Sequence, residues 1–408
     1  MKRKMLGWAK QFNIFCFLDN QQYSIAPQQY ECLLAAGVRQ EMETEDISEL
    51  DRFLKKRAWI FGHLSYDLKD RMHFPSHKKN RIGFPRSYFF VPQSVLLIHK
   101  NELHIESEDP DKLYQALLLQ PVIEEAATCS VSIRQKLTRL QYLDRIKSLQ
   151  AHILRGDCYE VNFCQEFFSE DASLDPFAIF QKLMEVSPNP FSAYYRLGDR
   201  YLLCASPERF LWKKQNRIVS QPIKGTIKRD VQDQVEDERL KNELKNSSKD
   251  QSENVMVVDM VRNDLVKACK DNSVVVDELF GIYSYPQVHQ MISTISGELK
   301  EEIKFSEILQ ATFPMGSMTG APKHRVMELI DQYEEQSRGI FSGSVGYFSP
   351  DGDFDFNVVI RSIMYNSTEK YLSYQVGSGI TFYSDPVKEW EECLLKAEAI
   401  NRVLGPIR

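Results

Sequence analysis

A chain of 408 residues with 43% hydrophobic side chains can bury a sizeable core, as one large domain or two packed ones, which excludes disorder as its ground state. Its net charge of −6 and its short, interrupted basic runs exclude a general nucleic-acid binder, which needs a concentrated basic face. Eight cysteines without a C-x-x-C pair, no secretory h-region behind Met1-Lys2-Arg3-Lys4 and no long apolar run lead us to expect a reduced, cytoplasmic protein without zinc or a membrane span.

Strand-like runs fall at 12–18, 59–64, 88–90 and 95–99, and the stretch 46–56 carries Ile47, Leu50, Phe53 and Leu54 on one helical face. The connection 128–136 offers a boundary. Residues 1–130 therefore read as an N-terminal α+β segment packed on a catalytic region at 131–408, together one structural domain. A helix is predicted over 141–155, closed by Gly156. The stretches 194–214 and 217–228 alternate like antiparallel strands around a turn at Gln215-Asn216. Residues 230–270 read as helical, 337–348, 356–365 and 371–381 as strands, and 386–403 as a last helix with Asp385 as N-cap and Pro386 in its first position. Segregated runs of strands and helices favour an α+β fold over a doubly wound sheet.

The chemistry concentrates in a few segments. Lys224 stands in Pro222-Ile223-Lys224-Gly225-Thr226, between an apolar residue and a glycine. In a partly dry pocket its ammonium form is disfavoured and the free amine is a nucleophile. Glu208, in Ser206-Pro207-Glu208-Arg209-Phe210, supplies a matching proton donor or acceptor. A two-residue turn at 215–216 would pair Glu208 with Ile223 and turn Lys224 to the opposite face. The two share a face only with an odd loop or a bulge. Pro222, which cannot donate to the ladder, marks a bulge or strand end there.

Asp250 with Glu253, and Glu389 with Glu392, stand at i and i+3 on predicted helices, so each pair projects to one side. Such a pair alone is ordinarily a solvated surface. Two pairs facing each other repel unless a cation lies between them, and oxygen-only donors suit Mg²⁺. Gly316-Ser317-Met318-Thr319-Gly320-Ala321-Pro322-Lys323 is not a phosphate loop, because Pro322 intervenes before the lysine. Nor is Gly156-Asp157-Cys158-Tyr159-Glu160 a nucleophile elbow, since Glu160 stands where glycine belongs.

The Glu208 and Lys224 segments together resemble the signature of the chorismate-utilising enzymes, and the likeness is dense from about residue 140 to 400. Lysine in PIKGT, where related enzymes carry alanine, looks like the aminodeoxychorismate synthase branch of that family. The resemblance implies two antiparallel sheets packed face to face with helices outside. It implies Mg²⁺ held by Glu253 and Glu392, with Asp250 and Glu389 reaching it through water. Gly225, Thr226, Tyr347, Arg361, Gly377, Gly379 and Lys396 match positions that bind chorismate, with Thr319 near its ring and His289 near its leaving hydroxyl. The implied reaction joins chorismate and ammonia into 4-amino-4-deoxychorismate through a covalent adduct on Lys224, toward para-aminobenzoate and folate. Ammonia would come from solution or from a separate glutamine amidotransferase subunit.

Two segments depart from the family pattern. Glu160, in Gly156-Asp157-Cys158-Tyr159-Glu160-Val161-Asn162, replaces the usual glutamine, and isochorismate and salicylate synthases place a water-activating lysine there; an acid at this position argues against both. Phe17-Leu18-Asp19-Asn20 stands where relatives sense tryptophan through a Leu-Leu-Glu-Ser-like segment. Anthranilate synthase is the nearest alternative. A pyridoxal-phosphate enzyme with Lys224 as its Schiff base and a catalytically silent homologue are the others.

Overall fold

The computed structural model describes residues 1–23, 25–27, 30–72, 75–76, 78–121 and 129–407; of the expected boundary at 128–136, residue 128 lies outside them. The chain folds into an eleven-stranded and a ten-stranded antiparallel sheet with helices around them, an α+β architecture as expected. One apolar cluster fills the space between the sheets and joins Cys16, Leu33 and Cys164 of the first to Phe61, Phe89 and Phe356 of the second. Another lies on the outer face of the first sheet, where Phe15, Phe17, Val161 and Phe163 meet Tyr142, Trp390 and Ile400 of the helices. Period-two alternation explains the split: Phe15 and Phe17 go outward and Cys16 inward along one strand.

Strands from before residue 130 pair with strands after it in both sheets. Ile14–Asp19 lies beside Phe191–Leu197, and Ile60–Leu64 beside Ser344–Phe348. Cys16, Cys32, Cys158, Cys164, Cys204, Cys269 and Cys393 are buried and unpaired. No helix among the described residues is long and apolar enough to cross a membrane.

Five local features position the site. The hairpin of Arg209–Lys214 and Arg217–Gln221 turns at Gln215, whose φ is +55°, and pairs Lys214 with Arg217. Its register then slips by one residue between Trp212 and Arg209, so that Arg209 meets Gln221. This is the expected bulge, and the strand also ends at Gln221 before Pro222. A second slip follows between Ile223 and Thr226 against Val288–Glu298, where Gly225 takes φ +96°. A Cβ there would lie 3.1 Å from the Asp250 side chain, so glycine serves both the backbone and the packing.

The predicted helix at 230–270 is two helices, Gln234–Asn246 and Ser248–Ala268, divided by Ser247, whose hydroxyl caps the second by accepting from the Asp250 N–H. The predicted strand at 356–365 is likewise two, Phe354–Asn357 in one sheet and Ser362–Asn366 in the other. The chain crosses between sheets at 358–361, with Arg361 at φ +51°. Pro386–Leu404 starts as predicted, with the Asp385 carboxylate accepting from the N–H groups of Val387 and Lys388.

Candidate active site

Where the chain crosses from one sheet to the other, regular pairing lapses and a cavity opens. Two crossings flank it, 207–208 between Arg200–Ser206 and Arg209–Lys214, and 358–361, and they are tied by Val358 N–H donating to the Glu208 carbonyl at 3.0 Å. Glu208, Lys224, Gly225, Thr226, Asp250, Glu253, Arg361, Gly377, Gly379, Glu392 and Lys396 all line this cavity, whose volume is about 2160 Å³ with its open mouth included. That is room for a compact ring carrying two carboxylates.

Glu208 is buried, and its Oε1 accepts from the Ser317 hydroxyl at 2.6 Å. Burial pushes its carboxyl up to about 7, against the opposing pull of Ser317, Lys224 and Arg361. A carboxyl with a pKa near neutrality can both give and take a proton.

Lys224 corrects an expectation. Burial would lower its pKa, but the carboxylates of Glu160, Glu253 and Glu392 outweigh that and hold it above the ordinary lysine range as an ammonium. It donates to Glu160 Oε1, not to Glu208, and Glu160 Oε2 is buried without a hydrogen-bond partner. Gly379 makes this pair possible. A Cβ on residue 379 would lie 2.5 Å from Glu160 Oε1 and 2.7 Å from Lys224 Nζ. Glycine at 379 therefore clears space for the ion pair. Gly377 is equally tight, against Cys164 Sγ and the Phe163 carbonyl, and its own carbonyl accepts from Lys396 Nζ at 2.9 Å.

Arg361 brings a guanidinium to the cavity wall, nearly surrounded by protein, where burial lowers its pKa and Tyr285 and Glu208 hold it up. Among the described residues its side chain makes no hydrogen bond or ion pair, so its donors are available to a carboxylate in the cavity.

The acid pairs face each other across the two helices. Lys249 lies 3.7 Å from Glu253 and 3.6 Å from Glu389, and Glu392 pairs with Lys396 at 2.8 Å. Burial pushes Glu253 up to about 7, with Lys224 and Lys249 pulling it down and Glu160 and Glu392 pushing further up. Lys396 is the main cause that lowers Glu392. No group of three or more His, Cys, Asp or Glu among the described residues forms a ready-made metal cage. The donor set nevertheless suits Mg²⁺, which keeps several waters and needs few protein carboxylates. Glu253 Oε1 and Glu389 Oε2, buried without hydrogen-bond partners, are acceptors of the kind a cation or its waters would satisfy.

Three expected positions lie elsewhere. Tyr347 is buried in the ten-stranded sheet against Trp59, Phe61 and Tyr30, and lines a separate cavity with Asp19, Asn20 and Asp355. The aromatic wall of the Lys224 cavity is Phe341. Thr319 is fully buried with its hydroxyl turned back to the Met315 carbonyl at 3.0 Å, and Ser317 and Met318 line the cavity instead. His289 points away to Asp237 at 3.1 Å and Ser284 at 2.8 Å. Its neighbour Gln290 lines the cavity, with Oε1 buried and without a partner.

Alternation along Val288–Glu298 explains the exchange of His289 for Gln290, and alternation along Glu160–Ser169 also reveals Asn162, which the sequence reading left aside. Asn162 pairs with Gly379 in register, on the same face as Glu160. Reading period two outward from Gly377 and Gly379 would have found it.

Comparison with known proteins agrees with this geometry. Residues 8–402 match the family described as chorismate binding enzyme. Aminodeoxychorismate synthase component 1 of Klebsiella aerogenes is 34% identical over 357 residues, covering 86% of this chain and 77% of that protein. The Salmonella typhimurium protein of the same name is 35% identical over 362 residues, covering 88% and 78%. Among solved structures, anthranilate synthase component I from Streptococcus pneumoniae superposes with a TM-score of 0.81 at 23% identity, covering 93% of this chain and 94% of that one, a likeness of fold. The chain belongs to the chorismate-binding enzyme family.

Proposed function

We propose that the protein is the chorismate-aminating component of an aminodeoxychorismate synthase, converting chorismate and ammonia into 4-amino-4-deoxychorismate. The observation that carries the proposal is that one cavity collects Lys224, Glu208, the unpaired Arg361 and the acids Asp250, Glu253 and Glu392. The names of the relatives favour this product over anthranilate.

Arg361 receives one substrate carboxylate. Magnesium, held by Glu253 and Glu392 with Asp250 and Glu389 beside them, would supply the charge that neutralises the other. Lys224 passes a proton to Glu160, the base it touches, and becomes a free amine. The amine adds at C2 of the ring, both ring double bonds shift, and the C4–O bond breaks as Glu208 protonates the departing hydroxyl, which leaves as water. Gln290 supplies a neutral amide at the cavity wall to orient that hydroxyl. Ammonia then adds at C4, both ring double bonds shift back, and the C2–N bond breaks to restore the Lys224 amine. The ammonia added at C4 gives up a proton to Glu208, and the enolpyruvyl group stays in place. A glutamine amidotransferase subunit supplies the ammonia in the assembled enzyme.

Incubation with chorismate, Mg²⁺ and ammonium, followed by mass analysis, tests the reaction. The expected product retains the enolpyruvyl group and gains nitrogen. Anthranilate with released pyruvate would replace this reading by the tryptophan-pathway one, and no turnover at all would end it.

A further inference from the structure

We infer that Lys249 is a built-in competitor for the cation site, its ammonium standing between the two acidic helices until a divalent ion displaces it. This rests on the magnesium reading of Glu253 and Glu392. Lys249 projects from the first turn of Ser248–Ala268, and its Nζ lies 3.7 Å from Glu253 Oε1 on its own helix and 3.6 Å from Glu389 Oε1 on Pro386–Leu404. Among the described residues it is the cation in ion-pair reach of carboxylates on both helices; Lys224 pairs with Glu160 and feels Glu253 and Glu392 at longer range, and Lys396 contacts Glu392 on its own helix.

Both Lys249 distances exceed a hydrogen bond. The ammonium therefore offsets charge without satisfying the oxygens, and Glu253 Oε1 and Glu389 Oε2 stay without donors. A group meant to remain there would close on at least one of them. The Lys249 side chain is 52% exposed, on a flexible stem that can swing into solvent, whereas the side chains of Glu253 and Glu389 are 12% and 2% exposed and stay. A dication at the acids repels the nearby ammonium, so metal binding includes the work of expelling Lys249. The lysine holds the acidic helices together in the metal-free protein and weakens metal affinity by doing so.

Magnesium chloride is titrated by calorimetry into the whole wild-type chain, Lys249→Gln and Lys249→Arg, without substrate, and melting temperature is followed with and without magnesium. Lys249→Gln should bind magnesium roughly fivefold more tightly, the scale of one partly screened charge pair. It should also melt lower than wild type without metal and level with it at saturation, while Lys249→Arg stays near wild type. If Lys249→Gln binds magnesium equally or more weakly, the inference fails although the magnesium site stands. If the wild-type protein binds no magnesium, the site and the inference fall together.

Discussion

At the scale of single residues, the site holds charge in a state that binding must change. Glu208 is buried at 4% exposure and shifted from 4.5 to about 7. Its folded pKa lies above its unfolded one, so the native state binds more protons between these values and stability falls as pH rises through that window. The shift corresponds to about 3 kcal/mol, present below about pH 4.5 and lost above about pH 7. Glu208→Gln keeps an oxygen for the Ser317 hydroxyl and removes the titration. It should be more stable than wild type by up to about 3 kcal/mol at pH 8 and level with it near pH 4.5, with amination lost at both. Urea unfolding at the two pH values reads the difference. An equal gap at both would show that Glu208 does not titrate in this range.

At the scale of elements, the helix that carries Glu389 and Glu392 holds them in its opening turns, so its cap governs the proposed cation site. The Asp385 carboxylate accepts from Val387 N–H at 2.8 Å and Lys388 N–H at 3.0 Å. Asp385→Ala should cost about 1 kcal/mol of stability. It should also raise the magnesium concentration needed for half-maximal rate, because fraying there displaces the acids. Asp385→Asn should restore both. Unchanged magnesium dependence in Asp385→Ala would show that packing alone fixes the turn. This helix was legible because Asp385, Pro386 and the acids lie within a few residues, and local capping chemistry decides them. The hairpin bulge was legible for a similar reason, since Glu208 and Lys224 could share a cavity only if the register slipped. What stayed hidden depended on distant chain. A resemblance names a segment and not a face, and one step along Val288–Glu298 separates His289, held by Asp237, from Gln290 in the cavity. The charge state of Lys224 was likewise invisible locally, because Glu160 reaches it from a strand far away in sequence.

At the scale of the whole molecule, the cavity exists because two sheets exchange strands, and those sheets draw on both ends of the chain. Ile14–Asp19 is sandwiched between Phe191–Leu197 and Cys32–Ala36, and Ile60–Leu64 covers the edge of Ser344–Phe348. Without residues 1–130, both sheets would present open strand edges, and Tyr195, Tyr347 and Phe348 would lose the partners that bury them. Helix packing depends on this region too, since the Asp51 carboxylate accepts from the Ser306 N–H at 3.0 Å at the start of Phe305–Thr312. A fragment of residues 131–408 should therefore lack a cooperative thermal transition and expose apolar surface to a fluorescent dye, despite holding every candidate catalytic residue. Co-expression with residues 1–130 should restore a sharp transition and magnesium binding together. The full chain should unfold in one step, with aromatic fluorescence and far-ultraviolet dichroism coincident. A 131–408 fragment that melts sharply on its own would mean that the helices and the apolar cluster on the outer face of the first sheet suffice to hold the cavity, and that the N-terminal strands are cladding and not part of the frame.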